Sequence, residues 1–267
     1  MGQLKDKSVI IIGAAGNGNM GQVIAQRFAD EGAKVLVAGR REDELKRFSQ
    51  TIGGSYALCD ITKRGDIDAM VDQTLSLHGK VDVAINATGW GLMTPFIETS
   101  EDDLNKMVDL QFKGPYQFCQ AVLKSMSETG GGSIIQISSA TATIMLADHA
   151  AYMGTKAGVD HVIRCIANEF GKDGIRANSI SPGLTATPMT AGAVGTPGVV
   201  EAFSKEYPLG RVGTSEDIAA AAVFLASDDC FMTGQNLQVN GGLTLRRNPT
   251  REEIGASVAQ VMAGKES

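Results

Sequence analysis

The sequence predicts a single α/β domain, a doubly wound parallel β-sheet with helices on both faces. Three observations predict it. Short apolar runs such as Val9-Ile10-Ile11-Ile12 and Val35-Leu36-Val37-Ala38 alternate with segments of helical spacing such as Val23, Ile24, Gln26, Arg27, Phe28 and Ala29. Strands buried on both faces read as continuous apolar runs, as in parallel sheets. A glycine cluster joins the first strand to the first helix. The 267 residues, 43% hydrophobic and 20% charged, suit one large domain spanning 1–267.

Composition narrows the class of function. The net charge is −6, with no block of like charge. Nucleic-acid binding is therefore disfavoured, because no basic stripe is present to displace counterions. No apolar stretch reaches the roughly 20 residues that a membrane helix needs. The first residues lack a signal-peptide pattern, so the expected location is cytoplasmic. Cys59, Cys119, Cys165 and Cys230 lack Cys-x-x-Cys spacing and read as reduced core thiols, with no metal site.

The first strand runs into Gly13-Ala14-Ala15-Gly16-Asn17-Gly18-Asn19-Met20-Gly21. Missing side chains let a pyrophosphate approach the backbone, and the following helix offers free N–H groups and the positive end of its dipole. A glycine cluster between a first strand and a first helix is thus a dinucleotide-binding pattern, the Rossmann arrangement. The second strand closes at Gly39, and Arg40-Arg41 follow. NAD sites of this kind place a carboxylate there for the ribose diol. None is present, and guanidinium groups suit a 2′-phosphate. The expected cofactor is NADP(H) in preference to NAD(H); the plainer alternative is two solvated arginines closing a loop. Asp60, beside Ile61 at the close of the third strand, either accepts a hydrogen bond from the adenine amino group or caps the next helix.

Further along, Tyr152 and Lys156 stand at i and i+4 on one helix face, with Ser139 thirteen residues upstream of the tyrosine. Bringing a phenol from its usual value near 10 to about 7 takes about 4 kcal/mol of preference for the phenolate. One ammonium a few ångströms away supplies roughly that at an effective dielectric of ~20. The pair could donate and accept protons near neutral pH.

With these pieces in order, the chain resembles the short-chain dehydrogenase/reductase family from residue 5 to about 245. The resemblance rests on the glycine turn, on Asp82-Val83-Ala84-Ile85-Asn86-Ala87-Thr88-Gly89, on the strand Ile134 to Ile137 closing in Ser138-Ser139, and on Tyr152 and Lys156. It continues through Asn178-Ser179-Ile180-Ser181-Pro182-Gly183, the Leu209-Gly210-Arg211 to Ala219 segment, and Thr233-Gly234-Gln235 to Gly242. It implies an NADP(H)-dependent oxidoreductase interconverting a secondary alcohol and a ketone. Tyr152 would be the acid or base, Lys156 would lower its pKa and hold the nicotinamide ribose, and Ser139 would bind the substrate oxygen. Gly13, Asn19, Met20, Gly21, Arg40, Arg41, Asp60, Ile61, Asn86, Ala87, Gly89, Pro182, Gly183, Thr185 and Thr187 would join Tyr152 and Lys156 in binding the cofactor. Reduction of a 3-oxoacyl thioester is one alternative, and a catalytically silent nucleotide-binding regulator is another.

Three departures from the family pattern stand out. Gln111 occupies the place of an asparagine that in the family holds a water linking the lysine to solvent. It holds that water from a displaced backbone, or the relay is rerouted, or it is merely a polar helix residue. The glycine turn is two residues longer than usual, a length similar to the enoyl-acyl-carrier reductase branch. That branch, however, separates its tyrosine and lysine by six residues, and here three intervene. Ala87 and Thr88 replace Asn and Ala, which implies altered packing with binding retained.

Around the nicotinamide, Trp90, Leu92, Met93, Ile144, Met145, Leu146, His149, Leu184 and Met189 would form a pocket for a small apolar ketone or alcohol. Residues 185–208 read as a substrate lid, their small residues suiting a mobile loop. Apolar positions on the helix after Tyr152 exceed one buried face, and with Phe112 to Leu123 they imply a homotetramer or homodimer. The tail 246–267 starts a short helix at Thr250, with Glu253 completing a cap. It covers a neighbouring subunit, the active-site mouth, or its own subunit.

Overall fold

The computed structural model describes residues 2–264. Its first half alternates β1 (Ser8–Ile12), α1 (Met20–Asp30), β2 (Lys34–Gly39), α2 (Glu42–Thr51), β3 (Ser55–Leu58), α3 (Arg64–His78) and β4 (Val83–Asn86). Then come α4 (Glu101–Val108), α5 (Gly114–Thr129), β5 (Gly132–Ile137), α6 (Ala150–Phe170) and β6 (Ile175–Ile180). The remainder comprises β7 (Thr185–Ala186), α7 (Ala191–Val194), α8 (Val199–Glu206), β8 (Gly213–Thr214), α9 (Ser215–Ala226), β9 (Asn236–Leu237) and α10 (Arg251–Ala263).

Seven strands form one parallel sheet in the order β3-β2-β1-β4-β5-β6-β9. The chain winds outward from β1 through β2 to β3, then returns to β4 and winds the other way. This reversal opens a crevice at the carboxyl ends of β1 and β4, where ligands of doubly wound sheets bind.

The alternation of strand side chains divides the core. Val9 and Ile11 of β1 pack with Ile24 and Phe28 of α1, Leu45 of α2 and Ile218 of α9. Ile10 and Ile12 face the opposite layer, with Ile67 of α3, Phe118 of α5 and Val159 of α6. A strand with both faces buried favours apolar residues wherever no polar partner is at hand, which explains the unbroken Val9–Ile12 run in β1.

Three expectations are corrected. The third strand stops at Leu58, so Asp60 and Ile61 lie in the loop beyond it. The small-residue segment expected as a mobile loop instead carries the short helices α7 and α8, and Val199, Ala202 and Phe203 of α8 are buried. Cys165 is exposed on α6, whereas Cys59, Cys119 and Cys230 are buried.

Candidate active site

At the end of β1 the chain turns through Gly13 at φ +98°. A Cβ there would sit 2.6 Å from the Ala87 carbonyl carbon. A Cβ on Gly21 would sit 2.6 Å from the Gly13 oxygen. Glycine at both positions lets α1 begin directly against the two central strand ends. Asn19 caps that helix: its Oδ1 accepts from Gln22 N at 3.0 Å, and its Nδ2 donates to Gly13 O at 2.8 Å. Gln22 in turn accepts from Gly18 N at 2.9 Å and donates to Glu44 at 2.8 Å. The longer turn is thus braced internally while leaving the amino end of α1 open to an anion.

The crevice has two continuous sections. Gly13, Asn19, Arg40, Arg41, Asp60 and Ile61 line the outer one, together with Ala87 and Gly89. Met20, Gly21, Ser139, Tyr152, Lys156, Pro182, Gly183, Thr185 and Thr187 line the inner one, which shares Asn19, Ala87 and Gly89 with the outer. Asn86 is the exception among the expected residues. It is buried beneath the wall, where its Nδ2 donates to Gln136 Oε1 at 3.0 Å and its Oδ1 accepts from Thr88 N and Oγ1 at 3.0 and 2.7 Å. Its amide is spent on fixing the end of β4, and the substituted Thr88 completes that bracket.

The outer section separates the two arginines. Arg41 Nε donates to Ala15 O at 2.6 Å, tethering the glycine turn. Arg40 has no such tether and stands exposed on the wall. Asp60 accepts from Thr62 N and Oγ1 at 3.1 and 2.8 Å. It does not cap α3, whose first turn follows Lys63 without a side-chain cap. Burial pushes the Asp60 carboxyl up, but the Thr62 hydrogen bonds with Arg40 and Lys63 outweigh it and hold the group below its ordinary value.

In the inner section, α6 brings Tyr152 beside Ser139 at the end of β5. Ser139 Oγ also lies 2.9 Å from Thr141 Oγ1. Lys156 is only 4% exposed, and its ammonium donates to the Ile137 carbonyl at 2.8 Å, 5.6 Å from the Tyr152 ring centre. The ammonium is therefore where the sequence places it, but its effect differs from expectation. Burial raises the Tyr152 pKa, with Ser139 opposing. Burial also lowers Lys156 to about 8, with Asp160 opposing. In the protein alone desolvation dominates, and the phenol holds its proton at neutral pH.

His149, expected in the substrate pocket, stands against the candidate catalytic tyrosine. It is buried and stacks on Tyr152, with ring centres 4.3 Å apart and planes inclined 26°. Its Nδ1 lies 2.7 Å from Leu92 O, so Nδ1 carries the proton. Burial lowers its pKa, with the Leu92 carbonyl opposing. Ser138 and Asp160 went unnoticed, and their hydrogen bond spans 2.7 Å at the base of the site. The signal was an aspartate at i+4 from Lys156 beside the apolar positions Val159 and Ile163.

Gln111 is buried within a π-helical turn, Asp109–Lys113, between α4 and α5. That wider turn is the displaced backbone a longer side chain requires. Its Oε1 accepts from Trp90 N at 3.1 Å, and its Nε2 donates to Thr155 Oγ1 at 3.2 Å. Gly89 sits between Gln111 and Lys156: a Cβ there would lie 3.3 Å from Gln111 Oε1 and 3.9 Å from Lys156 Nζ.

The tail packs on its own subunit. Thr250 and Glu253 form the expected reciprocal cap. Ile254 and Val258 of α10 join Val199 and Phe203 of α8, with Ile144 and Leu184, in a small apolar cluster. Asn248 Nδ2 donates to Met145 O at 3.0 Å, and Arg251 pairs with Asp148. Residues 265–267 of the expected tail lie outside the described residues.

The crevice fits a dinucleotide. Glycines bring backbone to both strand ends, a helix amino terminus opens onto it, and cations stand at one end with a proton-donating group at the other. A family model described as enoyl-(acyl carrier protein) reductase matches residues 13–244. The D-threitol dehydrogenase of Mycolicibacterium smegmatis is 33% identical over 250 residues, covering 91% of this chain and 95% of its own. A 3-oxoacyl-(acyl-carrier-protein) reductase of Chlamydia muridarum is 34% identical over 247 residues, covering 90% and 98%. Among solved structures, a gluconate 5-dehydrogenase from Burkholderia cenocepacia, in complex with NADP and tartrate, superposes with a TM-score of 0.86 at 27% identity, covering 91% and 97%. Fold, site and relatives agree: the chain belongs to the short-chain dehydrogenase/reductase family and is an oxidoreductase that interconverts an alcohol and a carbonyl compound by nicotinamide-dependent hydride transfer.

Proposed function

We propose that the protein is an NADP(H)-preferring carbonyl reductase acting on a small apolar ketone, with the corresponding secondary alcohol as product. The observation that carries this reading is the half-buried Tyr152 phenol, beside Ser139 and backed by Lys156, at one end of a crevice whose other end presents Arg40 and Arg41. The nicotinamide, when bound, supplies the hydride.

The chain's own residues do the rest. Ser139 Oγ orients the carbonyl oxygen and stabilises charge growing on it. Tyr152 gives that oxygen its proton. A phenol protonated at neutral pH is in the form that reduction needs, which supports the reductive direction. Lys156 places a positive charge beside the departing proton's site. Gly13, Asn19, Met20, Gly21 and the Ala87–Gly89 backbone would hold the diphosphate and ribose. Arg40 and Arg41 would hold the 2′-phosphate, and Pro182, Gly183, Thr185 and Thr187 would hold the nicotinamide end.

The rim favours an apolar substrate over a polyol. Met189 lines the inner section, Met93 and Met145 are exposed on the loops after β4 and β5, and Ile144 and Leu184 pack in the apolar cluster with α8 and α10. Methionines fill irregular apolar gaps and adapt to bulky partners. Residues 185–208, braced by α10, would form the lid. The groove between α5 and α6, lined by Tyr116, Val162, Cys165 and Phe170, supports assembly as a homodimer or homotetramer, which sedimentation would decide. The cytoplasm is the proposed location.

A 3-oxoacyl thioester is the second reading, favoured by the 34% identity to an acyl-carrier-protein reductase. One rate screen separates them, following the absorbance of reduced nicotinamide with NADPH and NADH. The panel holds apolar ketones, a four-carbon ketose and a 3-oxoacyl thioester. Fastest turnover of apolar ketones with NADPH is expected. A preference for the thioester would establish the second reading, and no turnover of any carbonyl would favour a silent regulator.

A further inference from the structure

We propose that Asp160 is a positioning residue of the active site, the counter-charge that keeps Lys156 an ammonium and the clasp that holds the serine-bearing end of β5 against α6. Three side chains on one face of α6, four residues apart, meet three consecutive residues at the end of β5. Tyr152 stands beside Ser139, Lys156 bonds the Ile137 carbonyl at 2.8 Å, and Asp160 Oδ2 accepts from Ser138 Oγ at 2.7 Å. Asn236 Nδ2, at the start of β9, donates to the same oxygen at 2.6 Å. The carboxylate thereby joins α6, β5 and β9 directly beneath the proton-transfer pair.

A satisfied structural carboxylate would use both of its oxygens. Asp160 Oδ1 is buried without a hydrogen-bond partner; Ser179 faces the carboxylate, yet its hydroxyl completes no close bond either. A carboxylate with one oxygen buried and unpaired is costly. That cost is offset where a cation shares the same low-dielectric region, and Lys156 stands one turn away on the same face. The charges bearing on Asp160 are Lys156 and, one turn further along, the exposed Arg164. The groups facing it from the sheet, Ser138, Ser179 and Asn236, are uncharged. On the other side of Lys156 stand Tyr152 and, stacked on it, His149. Asp160 is thus the negative charge that supports the ammonium.

The proposal rests on the proton-transfer role given to Tyr152 and Lys156, and it adds how Lys156 stays charged in a site that penalises charge. The test compares pH profiles of kcat/KM for ketone reduction in wild type, Asp160→Asn and Ser138→Ala. Reduction needs a charged Lys156 and a protonated Tyr152, so losing the counter-charge moves the alkaline limb toward acid. A shift of about one pH unit is expected for Asp160→Asn. Ser138→Ala removes one clasp and keeps the charge, so it should lower the rate without moving the limb. Superimposable limbs for wild type and Asp160→Asn, or equal shifts in both variants, would overturn the proposal.

A second measurement needs neither turnover nor a folded variant. Wild-type protein carrying 13C at lysine Cε is titrated by NMR. The Lys156 signal should titrate near 8 and show a smaller inflection where Asp160 takes up its proton. A Lys156 signal titrating with the surface lysines, or one with no second inflection, would overturn the proposal. Absence of carbonyl turnover in wild type would instead count against the functional reading alone.

Discussion

Replacing Arg40 with alanine should convert cofactor preference without disturbing the cofactor cradle. Arg40 is exposed on the outer wall, and its charge already acts on Asp60 across the crevice. Arg41 is different, because its Nε holds Ala15 O at 2.6 Å and so braces the glycine turn. A hydrogen bond to a charged group contributes about 1.5–3 kcal/mol, and each 1.4 kcal/mol is about tenfold in affinity. Arg40→Ala should therefore weaken NADPH roughly 10- to 100-fold and leave NADH nearly unchanged. Arg41→Ala should weaken both cofactors, since the turn loses its tether whichever nucleotide binds. The chain has one tryptophan, Trp90, immediately after Gly89 on the crevice wall. Quenching of its fluorescence gives both dissociation constants directly. Equal weakening of NADPH and NADH by Arg40→Ala would refute the phosphate assignment.

Three further outcomes follow from the same structure. Gln111→Ala strands the Trp90 N–H, while the Thr155 hydroxyl keeps its helix carbonyls, so it should cost about 1–3 kcal/mol in urea unfolding and shift Trp90 emission. Gly198 holds φ +91°, and a Cβ there would come 2.5 Å from Val258 Cα. Gly198→Ala should therefore push α8 away from α10, lower the melting temperature and raise the ketone KM; an unchanged KM would show that this contact does not shape the pocket. Lys156 supplies a pH test with a definite sign. Its folded pKa, about 8, lies below the unfolded value, so the folded state binds fewer protons above about pH 8. Relative to Lys156→Met, wild-type stability should rise between about pH 8 and about 10.4, by at most ~1.4 kcal/mol per unit. A flat difference in urea melts would mean that the ammonium is not desolvated.

The sheet was legible because buried parallel strands are mostly apolar, and Val9 to Ile12 and Val35 to Ala38 read as unbroken apolar runs. The site was legible where chemistry demands a residue type at a fixed spacing, as at Gly13, Gly21, Tyr152 and Lys156. Three features escaped because they depend on what the fold brings alongside. The Asn86 amide turns under the wall because Gln136, fifty residues on, stands opposite on β5. The π-helical turn at Gln111 depends on packing between α4 and α5, which local propensity does not encode. The Tyr152 electrostatics went the other way because sequence counts the nearby cation and not the water removed around the phenol. The tail's helix was readable from Thr250 and Glu253, but its partner was not, because apolar Ile254 and Val258 would suit many surfaces.

The central claim is that Tyr152 transfers the proton while taking no essential part in holding the cofactor. Tyr152→Phe removes one oxygen from a ring that remains stacked on His149. The measurement is single-turnover ketone reduction by that variant, with NADPH binding read in parallel from Trp90. A rate reduced by about 10²–10⁴ with binding unchanged is the result expected. Reduction at the wild-type rate would contradict the claim.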